Sequence, residues 1–430
     1  MGGISYWKGG SIDLLHPAIT IFFKIITAWW LIQAGYGPLK AWLSRKLLIR
    51  QRNRLEKLSR EFPQQSVALI IPAKGVSSSF EHFLDLILNQ DYPNYRIIFV
   101  TQSAEDPAQL AIREYLQIAP EATHWTRPEG RTTGANEVEF VVAGLAGDEG
   151  QKVHNQLAAF KHLRDEQIVA FADADIVGGD GWLKMLITPI NVGEAELTSG
   201  YRWFIPKSNH FSNLVATNIN SGIGVLAGPR WHTLLWGGSM ALSRKVFDEI
   251  QVPEALRGSL NDDLQISRVA RESGKELYFV RSLMAPSPVD YSWGSLFEFG
   301  RRQYFQVLTY VPRYWGIALF FTGSWLLGAG TTWWRLLVLR DPQALVPIAI
   351  VAVMILLKFA LRTSYLKEQF DQETIRKLRT ARALELVTTT FNMAVHFVIV
   401  LSAALIRGIT WAGIKYRVYG RQETVILSRD

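Results

Sequence analysis

The sequence contains no cysteine among its 430 residues. Without thiols the chain forms neither a disulfide framework nor a thiolate metal site, so a bound cation must be held by oxygen or imidazole ligands. Histidine is also sparse, with 8 residues. His154 and His232 have no second histidine at ligand spacing, so we interpret both as structural, hydrogen-bonded side chains.

Charged residues are scarce in four long stretches of the chain. A hydrophobic content of 48% with 15 tryptophans exceeds what a soluble enzyme needs, so part of the apolar surface must face lipid. The first stretch lacks a small-residue cleavage site, and we expect residues 1–40 to be a retained membrane anchor. The four candidates to cross or enter a bilayer are residues 14–37, 315–334, 345–361 and 386–406.

A basic segment comes directly after the first stretch. Between residues 40 and 60 the chain carries eight lysines and arginines against one acidic residue, Glu56. The positive-inside rule places the domain after this juxtamembrane segment, residues 41–66, in the cytoplasm. Beside an apolar anchor, this segment and the net charge of +8 favour anionic lipid headgroups over nucleic acid, for which no basic-aromatic platform is visible.

The C-terminal membrane segments, residues 313–406, raise a conflict in the number of crossings. If three segments cross, the basic tail at 407–430 lies opposite the cytoplasm, against the positive-inside rule. One segment is therefore expected to be interfacial or re-entrant. Our candidate is 315–334, because Gly323, Gly328 and Gly330 could break its helix.

The central part of the chain alternates buried strands with helices. Strand patterns at 67–73, 96–101, 138–143 and 167–173 are separated by helical patterns. This βαβα alternation predicts an α/β domain with a mostly parallel sheet and right-handed crossovers. Ligands of such sheets bind at the carboxyl ends of the strands.

Polar residues stand at those strand ends. In "VAFADADIVGGDGWL", Asp173 and Asp175 directly follow a buried run. One carboxylate would suit a capping turn, but two so close together are unfavourable without a cation near them. Lys74, after the first strand, and Lys152, opening a helix, could meet a diphosphate, although each could also be an ordinary surface lysine.

A second acidic pair, Asp262 and Asp263, opens a helix in "LNDDLQISRVARESG". Acidic residues at a helix start commonly serve as caps. One of the two could be such a helix-start carboxylate, which leaves the other free to act as a base.

The ordered set "KVHNQLAAF", "ADADI", "WGGSMALSRKVF", "NDDLQISR" and "GRRQYFQ" resembles the inverting glycosyltransferases of the GT-A fold. The likeness is to the ceramide glucosyltransferase-like branch, family 21, which is close to family 2. It covers residues 67 to about 310, so we expect the α/β GT-A (Rossmann-like) domain at 67–312.

The resemblance implies roles for individual residues. Asp175 and Asp173 would bind Mg²⁺ or Mn²⁺ on the diphosphate of the sugar nucleotide. Asp263 would be the base, and we therefore expect Asp262 to be chiefly the helix-start carboxylate. The other expected site residues are, at the catalytic centre, Asp262, Arg302 and Gln303; on the donor, Lys74, Gly75, Ser103, Lys152, Asn155 and Asp173; and on the acceptor side, Trp236, Gly237, Gly238, Arg301 and Tyr304.

The chain departs from the family pattern at two places. Ser103 stands where the family often has an aspartate, and Gln303 replaces the tryptophan of the family's glutamine-x-x-arginine-tryptophan motif. The "RRQYF" segment can also be interpreted as an interfacial helix whose arginines bind lipid phosphates.

These features together predict an inverting transferase. It would move a hexose from UDP-glucose or UDP-galactose to a hydroxyl of a membrane lipid. A processive polysaccharide synthase would need a channel, for which four apolar segments offer little material. A catalytically silent scaffold would not need Asp173, Asp175 and Asp263, all of which are present.

Overall fold

The central domain is built on one eight-stranded sheet. The structure, a computed structural model, describes residues 17–61, 64–175 and 178–429. The strand order is β3-β4-β2-β1-β5-β7-β6-β8, and a three-stranded sheet, β11-β10-β9, lies near the C-terminus. The strands are β1 (Val67–Pro72), β2 (Tyr95–Thr101), β3 (His124–Thr126), β4 (Glu137–Val142), β5 (Ile168–Ala172), β6 (Leu197–Pro206), β7 (Ser239–Ser243), β8 (Leu277–Val289), β9 (Gly408–Trp411), β10 (Ile414–Gly420) and β11 (Glu423–Arg429).

Helices cover both faces of the large sheet and form the membrane part. Strands β4, β2, β1 and β5 are parallel, as are β6 and β8, whereas β3 and β7 run antiparallel to their neighbours. The helices are α1 (Pro17–Glu61), α2 (Phe80–Leu88), α3 (Pro107–Leu116), α4 (Gln151–Phe160), α5 (Trp182–Asn191), α6 (Phe211–Gly224), α7 (Arg244–Glu249), α8 (Val252–Leu256), α9 (Asp263–Glu272), α10 (Trp293–Tyr310), α11 (Pro312–Leu337), α12 (Leu345–Gln369), α13 (Gln372–Lys377) and α14 (Arg379–Ala403).

The sheet is buried on both faces, which is why its strands are continuous apolar runs. In β1, Leu69 and Ile71 pack in one core layer, whereas Ala68 and Ile70 pack in the other. The predicted mostly parallel α/β sheet is confirmed. The antiparallel strand β7 lies between β5 and β6, so it continues the sheet beyond the strands that the sequence pattern had indicated.

Helix α1 joins the membrane part to the central domain. Its 45 residues correspond to about 68 Å at 1.5 Å per residue. Trp30 packs on Trp325 in the membrane part, whereas Leu48, at the other end, packs in a cluster with Trp203 of β6. The predicted anchor and basic segment are therefore one continuous helix through residue 61.

Three helical segments are long and apolar enough to cross a membrane: Ile19–Glu61, Pro342–Gln369 and Arg379–Ala403. The chain is a membrane protein. Helix α11 is not among the three, but it is unbroken, so the expected glycine break is wrong. An added Cβ at Gly328 would lie 2.5 Å from the Cβ of Trp30, which shows that this glycine permits close helix packing.

Contacts with helix α1 show the directions in which α11 and α12 run. The order of the contacts along the helices shows that α11 runs antiparallel and α12 parallel to α1. Helix α11 therefore leads away from the domain, and α12 returns to it. The ordering contacts are Phe23 with Trp334, Tyr36 with Phe321, Gly37 with Lys358, and Arg45 with Glu368.

Residues 408–429, expected to belong to a basic tail, form the small antiparallel sheet. This sheet packs on the central domain: Tyr416 is 2% exposed and lies in one cluster with Leu260 and Phe305. The Ser259 hydroxyl donates to the Arg421 carbonyl at 3.0 Å. Because the small sheet packs on the domain, we predict an even number of membrane crossings between residue 312 and this sheet.

Helix α14 packs along the central domain. Length and composition admit it as a span, but it lies along the domain, with Val395 and Ile399 packed in a cluster with Val215 of α6 and Leu296 of α10. Its opposite face is apolar and open, and Val387 is 83% exposed. This packing predicts that α14 lies in the membrane plane, whereas our expectation that residues 315–334 do not cross agrees with the absence of α11 from the candidate spans.

Single-cysteine labelling tests this arrangement, because the chain has no native cysteine. We expect Glu129→Cys in the domain and Tyr419→Cys in the small sheet to react from the same side of sealed vesicles. Gln343→Cys, in the turn between α11 and α12, should react from the opposite side. All three side chains are exposed. Labelling of Tyr419→Cys from the side of Gln343→Cys would contradict the two-crossing arrangement.

Candidate active site

The residues at the carboxyl end of β5 meet the first turn of α4. Lys152 Nζ lies 2.7 Å from Asp173 Oδ1 and 3.1 Å from Asp262 Oδ2. Burial opposes charge on this lysine, but Asp173, Asp262 and Asp263 together raise its pKa. The structure thus brings together the two acidic motifs that lie about 90 residues apart in the sequence.

Asp262 is not a helix cap. Its side chain makes no capping hydrogen bond; instead, Asn261 Oδ1 accepts from the backbone N–H of Leu264 at 2.8 Å. Asp262 is 1% exposed, and Gln156 Nε2 donates to its Oδ2 at 2.7 Å. Burial alone would raise its pKa, but Lys152 and Gln156 hold the pKa below the usual value. Our expectation of a helix-start role for Asp262 was wrong.

Asp263 lies beside this buried pair and is half-buried. The backbone N–H of Gly237 donates to Asp263 Oδ2 at 2.7 Å. Burial, reinforced by the neighbouring Asp262 carboxylate, raises the pKa of Asp263 to about 6, although Lys152 acts in the opposite direction. A carboxylate with a raised pKa is a stronger base, which suits proton abstraction near neutral pH.

The "WGGS" loop closes around this group. An added Cβ at Gly237 would lie 2.8 Å from both Asp262 Oδ2 and Lys152 Nζ, so this position has room only for glycine. At Gly238, a Cβ would meet the Trp236 ring at 2.4 Å. Both glycines therefore shape the site through close backbone approach.

Asp175 lies in a cleft of about 420 Å³. Burial, followed by the nearby Asp173, raises its pKa, while Arg202 acts to lower it. It forms no ion pair with any residue in the described ranges, whereas Asp173 is held by Lys152. The lining residues are Asp175, Arg202, Phe204, Ser287, Pro288, Val289, Tyr291, Ser295, Glu298, Phe299 and Arg302.

A divalent cation fits these two carboxylates chemically. Hard cations bind through few carboxylates together with phosphate oxygens. Asp175 has free oxygens that open on the cleft, and Asp173 offers one oxygen that Lys152 does not hold. The repulsion that raises the pKa of Asp175 would be relieved by a bound cation.

A different group has ligand-like spacing: His124, Glu137 and Glu139 on strands β3 and β4. However, Arg164 Nη2 lies 2.7 Å from Glu137, and Arg96 Nη1 lies 2.7 Å from Glu139. These carboxylates are already neutralised, and the group lies at the sheet edge opposite β8. We do not assign a metal to it.

The expected donor residues divide into two sets. Lys74 is exposed, and its Nζ donates to the Ala412 carbonyl at 2.7 Å, so it is held by the small C-terminal sheet. The Gly75 N–H donates to Asp106 Oδ1 at 2.8 Å. Asn155 is buried and accepts from Gln151 Nε2 at 2.9 Å. Its expected donor contact is therefore wrong, because its side chain is committed to the interior.

Ser103 lies at the surface after β2. Its hydroxyl donates to Glu105 Oε2 at 2.5 Å, and the Glu105 N–H donates back to the Ser103 hydroxyl at 3.1 Å. The pair forms a local turn, and no contact joins it to the Lys152 group. Ser103 remains a predicted donor residue without a geometric link to the acidic motifs.

The expected acceptor-side residues lie in different environments. The Trp236 ring lies edge-on to Tyr201, with ring centres 6.0 Å apart. Arg302 lines the cleft, whereas its neighbour Arg301 is exposed. Gln303 does not line the cleft, so its expected catalytic position is not supported by the geometry.

Tyr304 is turned toward the membrane part of the protein, where its hydroxyl hydrogen-bonds to His396 Nε2 of α14. This contact ties α10, which carries Arg302, to the in-plane helix. Tyr304 is therefore placed at the junction of the two helices rather than in the cleft.

Sequence reasoning missed three residues of the site. Gln156 stands one helical turn after Lys152, a spacing that places both on one helix face and could have indicated it. Arg202 and Tyr291 come into the cleft from β6 and from the loop after β8. Only the pairing of those two strands brings them together, so no local pattern signals them.

Comparison with known families gives the class of the protein, a glycosyltransferase. The chain belongs to glycosyl transferase family 21, which it matches over residues 26–424. This confirms the predicted family and the GT-A type of α/β domain. No curated protein matches the chain significantly.

Solved structures of glycosyltransferases resemble the chain distantly. A mannosyltransferase from Pyrobaculum calidifontis, in complex with GDP-Man and Mn²⁺, is 14% identical with a TM-score of 0.45, over 89% of this chain and 98% of that one. Glucosyl-3-phosphoglycerate synthase from Mycobacterium tuberculosis is 14% identical with a TM-score of 0.37, over 60% of this chain and 83% of that one.

The raised pKa of Asp263 predicts a stability difference that depends on pH. A folded-state pKa above the unfolded value means that the native protein loses stability as pH rises from about 4 through about 6, where the buried carboxyl ionises. Asp263→Asn removes this ionisation but keeps an oxygen for the Gly237 N–H. We expect the variant to melt at a higher temperature than the wild type at pH 8.

Melting curves of both proteins at pH 5 and pH 8 in one detergent check this prediction. The difference should be largest at pH 8 and shrink toward pH 5, where Asp263 is protonated. A variant that is less stable than the wild type at pH 8 would show that the ionised carboxylate is favourably bound, against our assignment.

Proposed function

We propose that the chain transfers a hexose, with inversion, from a UDP-sugar to a hydroxyl of a membrane lipid. The observation that carries this proposal is the difference in pKa and burial between two adjacent carboxylates. Asp263 has a raised pKa and is half-buried, whereas Asp262 is buried and paired with Lys152. One base and no free carboxylate nucleophile beside it suit a single displacement.

The chain itself supplies the base that takes the proton of the acceptor hydroxyl. Gly237 N–H holds Asp263 Oδ2 at 2.7 Å, which leaves Oδ1 to accept the proton of the acceptor hydroxyl. That hydroxyl oxygen forms the bond to the anomeric carbon as the bond to the diphosphate breaks. Lys152 holds Asp173 and Asp262 on either side of this position.

Charge on the donor side is supplied by three groups. Lys152 keeps its proton, because its pKa is raised by the surrounding carboxylates. Lys74 could exchange the Ala412 carbonyl for a phosphate oxygen. A Mg²⁺ or Mn²⁺ ion held by Asp175 and Asp173 would act as a Lewis acid on the departing UDP.

A cluster of exposed aromatic rings supports a lipid acceptor. Phe211, Trp293 and Phe391 lie with ring centres 5.3–6.2 Å apart, and all three are about 40% exposed. Aromatic rings of this kind favour the headgroup layer of a bilayer. Trp293 opens α10, and Ser295 in the same first turn lines the cleft. A lipid head therefore has a short route from the membrane to the site.

The alternatives find less support in this arrangement. A processive synthase would need a channel for a growing polymer, and the cleft of about 420 Å³ is of the size of a single small-molecule site. A silent scaffold would not keep a lysine buried among three carboxylates, because an unused buried charge is costly. Our placement of the domain on the cytoplasmic side of the membrane is supported by the basic segment alone.

Assays with and without divalent metal, on the wild type and on two carboxylate variants, test the proposed function. We expect purified enzyme in lipid vesicles to release UDP from UDP-glucose or UDP-galactose only with Mg²⁺ or Mn²⁺, and to form a glycolipid detectable by mass spectrometry. Asp175→Asn should weaken metal-dependent UDP binding, because a ligand is lost. Asp263→Asn should keep that binding and lower kcat by about 10² to 10⁴.

Gln343→Asn, on the far side of the membrane part, is a matched control that should behave as the wild type. Full turnover in excess chelator would contradict the metal assignment. Equal turnover of the wild type and Asp263→Asn would contradict the base assignment.

A further inference from the structure

Two arginines in the cleft have unused hydrogen-bond donors. Arg202 and Arg302 both line it, and within the described ranges neither guanidinium hydrogen-bonds or pairs with a carboxylate. The cleft also contains Glu298, but this side chain is exposed and forms no ion pair with either arginine. A guanidinium carries five donors, so two such groups leave a strong, unsatisfied capacity for an oxyanion.

Aromatic rings, rather than acids, hold both arginines in place. The guanidinium carbon of Arg202 lies 5.2 Å from the ring centre of Phe299, and that of Arg302 lies 5.5 Å from the same ring. Trp411 of the small C-terminal sheet covers Arg302 from another direction at 5.6 Å. Stacking fixes a planar guanidinium while its N–H edge stays free for a ligand.

The donor's diphosphate has other cations, so the pair is available to a second anion, although Asp175 lines the same cleft. Lys152, Lys74 and the ion expected at Asp175 already supply positive charge for that group. The arginines lie instead among Tyr291, Ser295 and Phe299, on the side of the cleft where α10 begins at the exposed aromatic cluster. This is the side from which a lipid head would enter.

We propose that Arg202 and Arg302 bind a phosphate or carboxylate group on the head of the lipid acceptor, next to the hydroxyl that receives the sugar. This inference rests on the proposed function, and it makes the preferred acceptor an anionic lipid rather than a neutral one. Bidentate arginine contacts to phosphate or carboxylate are among the stronger hydrogen bonds in proteins.

A binding experiment tests the proposal with a small probe. Glycerol 3-phosphate, which carries a hydroxyl and a phosphate, is titrated into the full-length enzyme in neutral phosphatidylcholine vesicles with UDP and Mn²⁺. Tryptophan fluorescence reports binding, because Trp236 and Trp411 stack near the two arginines. We expect glycerol 3-phosphate to bind and glycerol not to bind.

The variants make the test specific. Arg202→Gln should weaken glycerol 3-phosphate binding about tenfold or more, while UDP affinity stays unchanged. Arg202→Lys should lie between this variant and the wild type, because it keeps charge without bidentate geometry. Arg257→Gln, an exposed position on the domain directly after α8, is the control for nonspecific attraction and should have no effect.

Three outcomes would overturn the inference. The first is wild-type binding of glycerol 3-phosphate that Arg202→Gln leaves intact, and the second is no binding at all. The third is a loss of UDP affinity in Arg202→Gln, which would assign the arginines to the donor's diphosphate. In each case, metal-dependent transfer to ceramide or diacylglycerol in the same vesicles would show that the proposed function itself stands.

Discussion

The ammonium group of Lys152 is the interaction on which the site depends. It joins a carboxylate at the end of β5 to one at the start of α9, at 2.7 and 3.1 Å. Removing one partner from a buried ion pair is strongly destabilising, whereas the complete set is satisfied. Because Asp262 is fixed in this way, its neighbour Asp263 is the more exposed carboxylate of the two, and the negative charge of Asp262 helps to raise its pKa.

Other parts of the molecule support this lysine. The N–H of Gln151, the residue before it, donates to the Tyr416 hydroxyl of the small C-terminal sheet at 3.2 Å. The same sheet reaches Lys74 through Ala412 and Arg302 through Trp411. The last residues of the chain thus contact the donor side, the helix of Lys152 and the acceptor side at once. This sheet and the in-plane helix α14 connect the site to the membrane part.

The sequence predicted the parts of this arrangement that local patterns encode. Apolar runs followed by polar residues marked β1, β2, β4 and β5, and the acidic motifs marked Asp173, Asp175 and Asp263. The features that it could not predict depend on long-range packing. Whether Asp262 caps a helix or pairs with Lys152 is decided by a residue 110 positions away. Arg202 enters the cleft only because β6 pairs with β8, and hydropathy alone does not distinguish α14 from a crossing helix.

The most direct test of this account is the pH dependence of kcat/KM in Lys152→Met compared with Lys152→Arg. Lys152 lowers the pKa of Asp263 and holds the donor-side Asp173. Its loss should therefore move the acidic limb of the profile from about pH 6 to a higher pH and weaken UDP binding at the same time. Lys152→Arg, which keeps the charge, should shift the limb much less. A Lys152→Met enzyme with an unchanged acidic limb and unchanged UDP affinity would contradict the central role of this lysine.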